Sequence, residues 1–175
     1  MQETESVRML GAILAFLSCG AMGLMRINVA RKHIAALEAL YDALGEMKLG
    51  ISTRLEAIPT LAKRLSESAV GDAKEFFTFF SLRLDTLGER GLYELWRESA
   101  EETLTALTPG ELHDFLSLGL VLGKSEADEQ AETIGHCQAS VGHALNAARD
   151  KYPQQQRLSL GLASAAGMLL VIVLI

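Results

Sequence analysis

Two stretches of the chain, one near each end, contain no charged residue and are strongly apolar. Residues 9–25 read MLGAILAFLSCGAMGLM, and residues 158–175 read LSLGLASAAGMLLVIVLI. Helices of 17 and 18 residues are just long enough to cross the roughly 30 Å hydrocarbon core of a bilayer. The pattern predicts a transmembrane helix from each stretch. They flank a polar segment, residues 26–157, that carries nearly all of the charge.

Basic residues are concentrated on the inner side of both apolar stretches, whereas Arg8 alone lies on the outer side of the first. The cytoplasmic flanks of membrane helices are enriched in Lys and Arg. We therefore expect the middle segment to be cytoplasmic and residues 1–8 to lie outside the cytoplasm. The inner basic residues are Arg26, Arg31, Lys32, Arg149, Lys151 and Arg157.

The first apolar stretch has two alternative interpretations, a cleaved signal peptide and a lipoprotein anchor. Its basic region is weak, because Glu3 and Glu5 outnumber Arg8. The lipidation box around Cys19 is one residue out of register. The helical pattern also continues past Arg26 without a small-residue cleavage site, so an uncleaved membrane helix is favoured.

The middle segment predicts helices only, because no part of it alternates polar and apolar residues as a strand does. An apolar stripe on three- and four-residue steps extends the first membrane helix as one rod to about Ser52. Its members are Ile34, Leu37, Tyr41, Leu44, Ile51 and Leu55. Turn signals place further helices at residues 59–68, 73–87, 92–104, 111–122 and 126–152. The predicted fold is an all-α cytoplasmic bundle of about six helices, with a transmembrane helix at each end.

Particular residues fix the expected helix ends. Asp72 is placed to cap the third helix, which should end at Gly88. Thr108 and Glu111 have the spacing of a capping box at the start of the fifth helix. Pro153 is expected to bend the chain or to begin a short linker before the second membrane helix.

Aromatic residues are concentrated in the motif EFFTFF at residues 75–80. Such a face could dip into a membrane or bind a partner. We favour a buried helix, because a small helical domain with little other aromatic mass needs these rings to fill its centre. Trp96, the only tryptophan, is expected to pack against them.

The letters GKS at residues 123–125 end like a phosphate-binding loop, which needs G-x-x-x-x-G-K-[ST] between a strand and a helix. Position 118 should then be glycine and is leucine, and the preceding segment is helical. We interpret the motif as a helix–turn–helix corner. Gly123 should end the fifth helix in a left-handed conformation, Ser125 should cap the sixth, and Asp128 should lie near its positive end.

Charge and residue spacing argue against several functions. The net charge is −6, whereas nucleic-acid binding needs a basic face. His136 and His143 share a helix face with Glu132, but the i, i+4 histidine pair of helical metal sites is missing. No Ser, Cys or Lys is paired with a base in the manner of an activated nucleophile. We expect no catalytic residue, metal or cofactor.

Small residues recur every four positions in the first apolar stretch, and a shorter ridge occurs in the second. Ridges of this kind let helices approach closely in lipid, so we expect helix pairing within the chain or between copies. The alternative is that membrane helices are simply rich in Gly and Ala. The residues are Gly11, Ala15, Cys19 and Gly23, with Gly161 and Ala165.

Three stretches of the chain resemble the stage III sporulation protein AB family. They are RLEAIPTLAKRL at residues 54–65, LYELWRESAEETL at residues 92–104 and LGLVLGKSEADEQAETI at residues 118–134. The third is the most specific, since it fits the family's LG-x-S-x-x-D-x-Q pattern with Leu122, Gly123, Ser125, Asp128 and Gln130. The resemblance spans essentially the whole chain. Its one departure is the first membrane helix, which contains serine and cysteine.

The resemblance implies a non-enzymatic role in endospore formation. Proteins of this family belong to an operon whose products build a channel between mother cell and forespore. Their cytoplasmic domain is similar to the helical domains of the inner-membrane platform protein of type II secretion. The implied location is the mother-cell membrane around the forespore. The implied partners are that membrane, a secretion-type ATPase of the same operon and other channel subunits, with a homo-oligomer as an open alternative.

For the ATPase we expect a dock at the corner and its acidic neighbours. The residues are Gly123, Ser125, Glu126, Asp128, Glu129 and Gln130. The alternative is that Gly123, Ser125 and Asp128 only cap helices. Two other classes of function stay open from the sequence: a generic two-span adaptor of a secretion or signalling system, and a membrane-bound enzyme.

Overall fold

The computed structural model describes the backbone of residues 2–124 and 126–174, and the side chains of Met25 and of residues 27–124 and 126–151. In that part the protein is all-helical, as the sequence predicts. Clustering of backbone contacts separates Lys32–Ala147 as one compact unit and groups Met1–Arg31 with Ala148–Ile175 as the other. The helices are α1 (Gln2–Ser52), α2 (Ile58–Ser68), α3 (Gly71–Arg83), α4 (Leu92–Thr103), α5 (Pro109–Leu118) and α6 (Ala127–Leu174).

Helix α1 is the predicted rod, and it ends at Ser52 as expected. The predicted stripe is only partly its buried face: Leu37, Leu44 and Ile51 are buried, but Tyr41 is exposed and Leu55 lies beyond the helix. The helix instead buries a band wider than one stripe, because neighbours cover it on more than one side. The additional buried residues are Ala36, Ala39, Leu40, Ala43 and Met47.

Five aromatic rings meet at the centre of the 32–147 unit. Trp96 of α4 contacts Phe76 of α3 at 4.7 Å and Phe115 of α5 at 4.8 Å between ring centroids. Phe77 and Phe80 complete the cluster. The Trp96 indole N–H donates to the Phe115 carbonyl at 3.1 Å, so burial leaves no polar atom of the ring unsatisfied. The predicted packing of Trp96 on the phenylalanine helix is confirmed.

The Trp96 ring packs directly against Gly119. A Cβ added there would lie 2.5 Å from Trp96 Cδ1 and 2.8 Å from Cγ, inside any permitted contact. The backbone at Gly119 is ordinary right-handed helix, with φ −61°. Glycine is required here by close approach and not by backbone conformation.

Helices α1 and α6 run antiparallel through the same unit. Tyr41 lies against Gly142, the Gln138 amide donates to the Tyr41 carbonyl at 3.2 Å, and Lys48 lies against Gly135. Residue numbers rise on α1 as they fall on α6. The end of α1 and the start of α6 therefore lie at the same end of this unit.

Two predicted helix boundaries at α3 are wrong. Val70 is the N-cap of α3, and Asp72 lies in the first turn, where it favours the helix dipole but does not cap. The α-helix ends at Arg83, and a single 3-10 turn, Leu84–Thr86, follows it. Gly88 comes after this turn and has a φ of +114°.

Two further predicted boundaries, the ends of α5 and α6, also differ in the structure. Helix α5 stops at Leu118 and not at Leu122, and successive turns follow, in which Gly119, Leu120 and Val121 donate to carbonyls three residues earlier. Helix α6 continues through Pro153 to Leu174. The predicted end near residue 152 and the linker are therefore wrong. A proline removes one backbone donor, which a helix of 48 residues tolerates.

Among the residues whose side chains are described, no helix is both long and apolar enough to cross a membrane. The two predicted membrane segments, residues 9–25 and 158–175, lie outside that part apart from Met25. Their backbone belongs to α1 and α6 up to Leu174. Membrane crossing stays a prediction.

Replacing Gly119 with alanine should destabilise the bundle by about 2 kcal/mol, because the new methyl group overlaps a tryptophan ring that has no room to move. Gly110→Ala in α5 is the matched control, since nothing lies within 4 Å of its added Cβ. Urea denaturation of the purified chain measures both. Equal unfolding free energies for the two variants would contradict the steric argument.

Candidate functional site: a docking corner

The turn between α5 and α6 is the predicted corner. Gly123 has a φ of +73°, the left-handed conformation expected of it. Its N–H donates to the Gln130 side-chain oxygen at 3.1 Å, which ties the turn to the second turn of α6. A phosphate loop needs such amides to point at its ligand, and here the amide is used internally. Ser125 lies outside the described residues.

The first turn of α6 is acidic and exposed. Asp128 and Glu129 lie in this turn, as expected for side chains at the positive end of a helix dipole. Glu126 directly precedes the helix and is also exposed. The corner therefore presents three carboxylates to solvent beside one ammonium group, that of Lys124.

An open pocket of about 280 Å³ lies against this corner. Gly123, Ala127 and Gln130 form one wall. The opposite wall comes from the end of α1, the following loop and the start of α2, and includes Ile51, Leu55, Ala57 and Ile58. The corner and the α1–α2 loop are distant in sequence, and the antiparallel pairing of α1 with α6 brings them together.

Arg64 of α2 fixes the α1–α2 loop. Its Nε donates to Glu56 at 3.1 Å, and its Nη1 donates to Glu46 of α1 at the same distance. Ser68 donates to the same Glu46 oxygen at 3.0 Å. Gly50 gives Arg64 room, because an added Cβ there would lie 3.1 Å from its Nη2. Arg64 therefore holds the loop at Glu56 and is itself tied to α1 by its ion pair with Glu46.

Leu55 is the residue that sequence reasoning placed wrongly. The rod pattern assigns it to the buried stripe, but its side chain is 74 % exposed and its φ is +51°. A left-handed leucine costs about 1 kcal/mol. It is the one non-glycine residue with positive φ in the described part of the chain. No sequence signal marks it, because the strain arises from the loop that Arg64 holds.

A second polar cluster joins α1 to α5. The Thr108–Glu111 capping box forms as predicted. A Glu111 carboxylate oxygen also lies 2.8 Å from His33 Nε2, a contact that residue spacing does not predict because the two residues are far apart in the chain. Partial burial works against the charged carboxylate. The hydrogen bonds from His33 and the Thr108 backbone outweigh it and lower the pKa of Glu111.

The other singled-out residues do not gather at the corner. His136 is exposed and lies 3.6 Å from Glu132, and no group of three metal-ligating side chains occurs among the described residues. Burial, with a smaller effect from Asp114, raises the pKa of the Cys137 thiol to about 12, so the thiol stays protonated. The predicted packing ridges, Gly11, Ala15, Cys19, Gly23, Gly161 and Ala165, lie outside the residues with described side chains.

The protein is a helical bundle whose corner places three exposed carboxylates beside an open pocket of about 280 Å³. The family model of stage III sporulation protein AB matches residues 8–175. The chain belongs to that family, as the LG-x-S-x-x-D-x-Q pattern at the corner indicated. It matches no curated protein and no solved structure.

Glu111→Gln should destabilise the bundle at neutral pH and not at acid pH. A carboxyl whose pKa is lowered by folding stabilises the fold above its ordinary pKa, and that contribution disappears as the pH falls through the folded-state value. We expect a loss of about 1 kcal/mol at neutral pH. Urea denaturation at both pH values measures it.

The matched control is Glu101→Gln, a neutralisation at an exposed position of α4, which should leave the unfolding free energy unchanged. A Glu111→Gln deficit that persists undiminished in acid would show that the carboxylate charge is not the cause.

Proposed function

We propose that this chain is a non-enzymatic membrane platform subunit of the sporulation channel between mother cell and forespore. In this role the terminal helices anchor it in the mother-cell membrane, and the 32–147 unit docks a secretion-type ATPase of the same operon. Family membership supports a role in sporulation. The channel, the two membrane passes and the ATPase belong to the proposal.

The proposed docking of the ATPase rests on the corner. Its three exposed carboxylates are next to Ala127 and Gln130 in the chain, and these two residues line a pocket that two separate chain segments build. A nucleotide-driven machine needs its ATPase to attach to a fixed subunit. The corner suits attachment, because Gln130 braces one side of the pocket and Arg64 the other.

A generic two-span adaptor is the alternative function. It would use the same pocket for another partner and would have no role in spore formation. Gene context and the phenotype of a deletion distinguish the two.

An in-frame deletion of the gene in the source organism should reduce heat-resistant spores and arrest sporulation after engulfment, with small forespores. Spore counts after heating and fluorescence microscopy of membrane-stained cells measure these outcomes. Reintroduction of the wild-type gene at another locus is the control. Normal sporulation of the deletion strain would reject the channel role.

Charge reversal at the corner, Glu126→Lys with Glu129→Lys, should weaken ATPase binding at least tenfold. Electrostatic complementarity at such a rim governs association and its salt dependence. The control Glu75→Lys with Glu89→Lys makes the same change in net charge at exposed positions on α3 and after the 3-10 turn. Binding of the purified ATPase to the full chain in nanodiscs is measured at several salt concentrations. Undiminished binding by the corner variant would remove the carboxylates from the dock.

A further inference from the structure

Leu55 has two features, and each of them is unfavourable for folding by itself. Its side chain is 74 % exposed, and its backbone is left-handed at φ +51°. The loop enforces this arrangement, since the Glu56 N–H donates to the Gly50 carbonyl at 3.0 Å while the Glu56 carboxylate is held by Arg64. Strain that the surrounding structure maintains is typical of functional sites.

The pocket beside Leu55 is open and larger than a single aliphatic side chain. Its volume of about 280 Å³ lies just below the range of clefts that hold small molecules, roughly 300–1,000 Å³. Its walls are mainly aliphatic, with Ile51, Ala57, Ile58 and Ala127, and they also include Glu56 and Gln130. Leu55 stands at the edge and extends this apolar surface outward. Such a site suits a protruding aliphatic side chain.

The charge around the pocket determines the chemistry of the partner. Glu126, Asp128 and Glu129 have no ion-pair partner among the described residues, and Lys124 is the one exposed ammonium group beside them. The positive charge of Arg54 is already shared with Glu56. The surface at the start of α6, next to the pocket residues Ala127 and Gln130, is therefore acidic, and it is called the acidic rim below. A second copy of the chain would bring the same acidic rim, so the excess charge disfavours self-association here.

We propose that the pocket and Leu55 receive an aliphatic side chain from a partner segment that carries Lys or Arg next to it. This inference rests on the proposed function, since it assigns the segment to the docked ATPase. Leu55 and the pocket provide the apolar contact, and the corner carboxylates bind the flanking basic groups. Central apolar anchors with a charged rim are the general pattern of protein interfaces.

The test is ATPase binding to the full chain in nanodiscs, with two pocket variants. Leu55→Gly removes the apolar contact and relieves the left-handed strain, so the thermal midpoint should not fall. Ala127→Leu narrows the pocket from α6 with a good helix former. Each should weaken binding at least tenfold. Leu120→Ala, which removes an exposed leucine from the turn after α5, should bind as the wild type does.

The possible results separate the pocket from the wider proposal. If both pocket variants bind the ATPase with wild-type affinity, the pocket does not receive the partner's side chain, even if charge reversal abolishes binding. Loss of binding by the pocket variants with retention by the charge-reversed chain upholds the aliphatic contact and overturns the basic partner.

Two further results concern the identity of the occupant. A fall in oligomeric mass on Leu55→Gly would make a second copy the occupant and overturn the proposal. If the wild type binds no ATPase, the proposed function fails. Heat-resistant spore counts of a strain that carries Leu55→Gly then test the pocket by itself. Normal counts would reject a binding role for the pocket. Reduced counts at a normal protein level would support a basic partner other than the ATPase.

Discussion

The packing of the Trp96 ring against Gly119 is the contact on which the rest of the bundle depends. The indole touches rings from α3 and α5, and each such aromatic pair contributes about 1 kcal/mol beyond its buried area. The ring fits only because position 119 has no side chain. Helix α5 ends at Leu118, next to this contact, and the tight turns that follow bury Leu122 and lead to Gly123. The position of the corner is thus set by the core.

The pocket is built from parts whose first task is structural. Gln130 satisfies the Gly123 amide, and Arg64 links Glu56 to Glu46. Antiparallel packing of α1 on α6 brings these two braced segments together. Rigid walls lower the entropic cost of binding, because little has to be ordered when a partner arrives. Arg64 does not line the pocket, so it can matter for the proposed docking without touching the partner, by holding Glu56, whereas Gly123 and Gln130 are part of the pocket wall.

Much of the local structure followed from residue pattern. The all-helical fold, the end of α1 at Ser52, the burial of the phenylalanine helix and the Thr108 capping box were all confirmed. The left-handed Gly123 and the acidic first turn of α6 were also predicted. The family resemblance covered the corner and also residues 54–65, which contain Leu55, Glu56 and Arg64, but residue pattern could not predict that these two distant stretches meet at one pocket.

The sequence by itself determined the all-helical fold, the Thr108 cap, the acidic corner and membership of the sporulation family, because each depends on spacing within a few residues or on a contiguous motif. Only the tertiary structure decided that Trp96 packs against Gly119 and that α5 stops at Leu118. It also decided that Leu55 is exposed with a left-handed backbone conformation. These features arise where segments far apart in the chain meet. Periodicity along one segment carries no information about what packs against it.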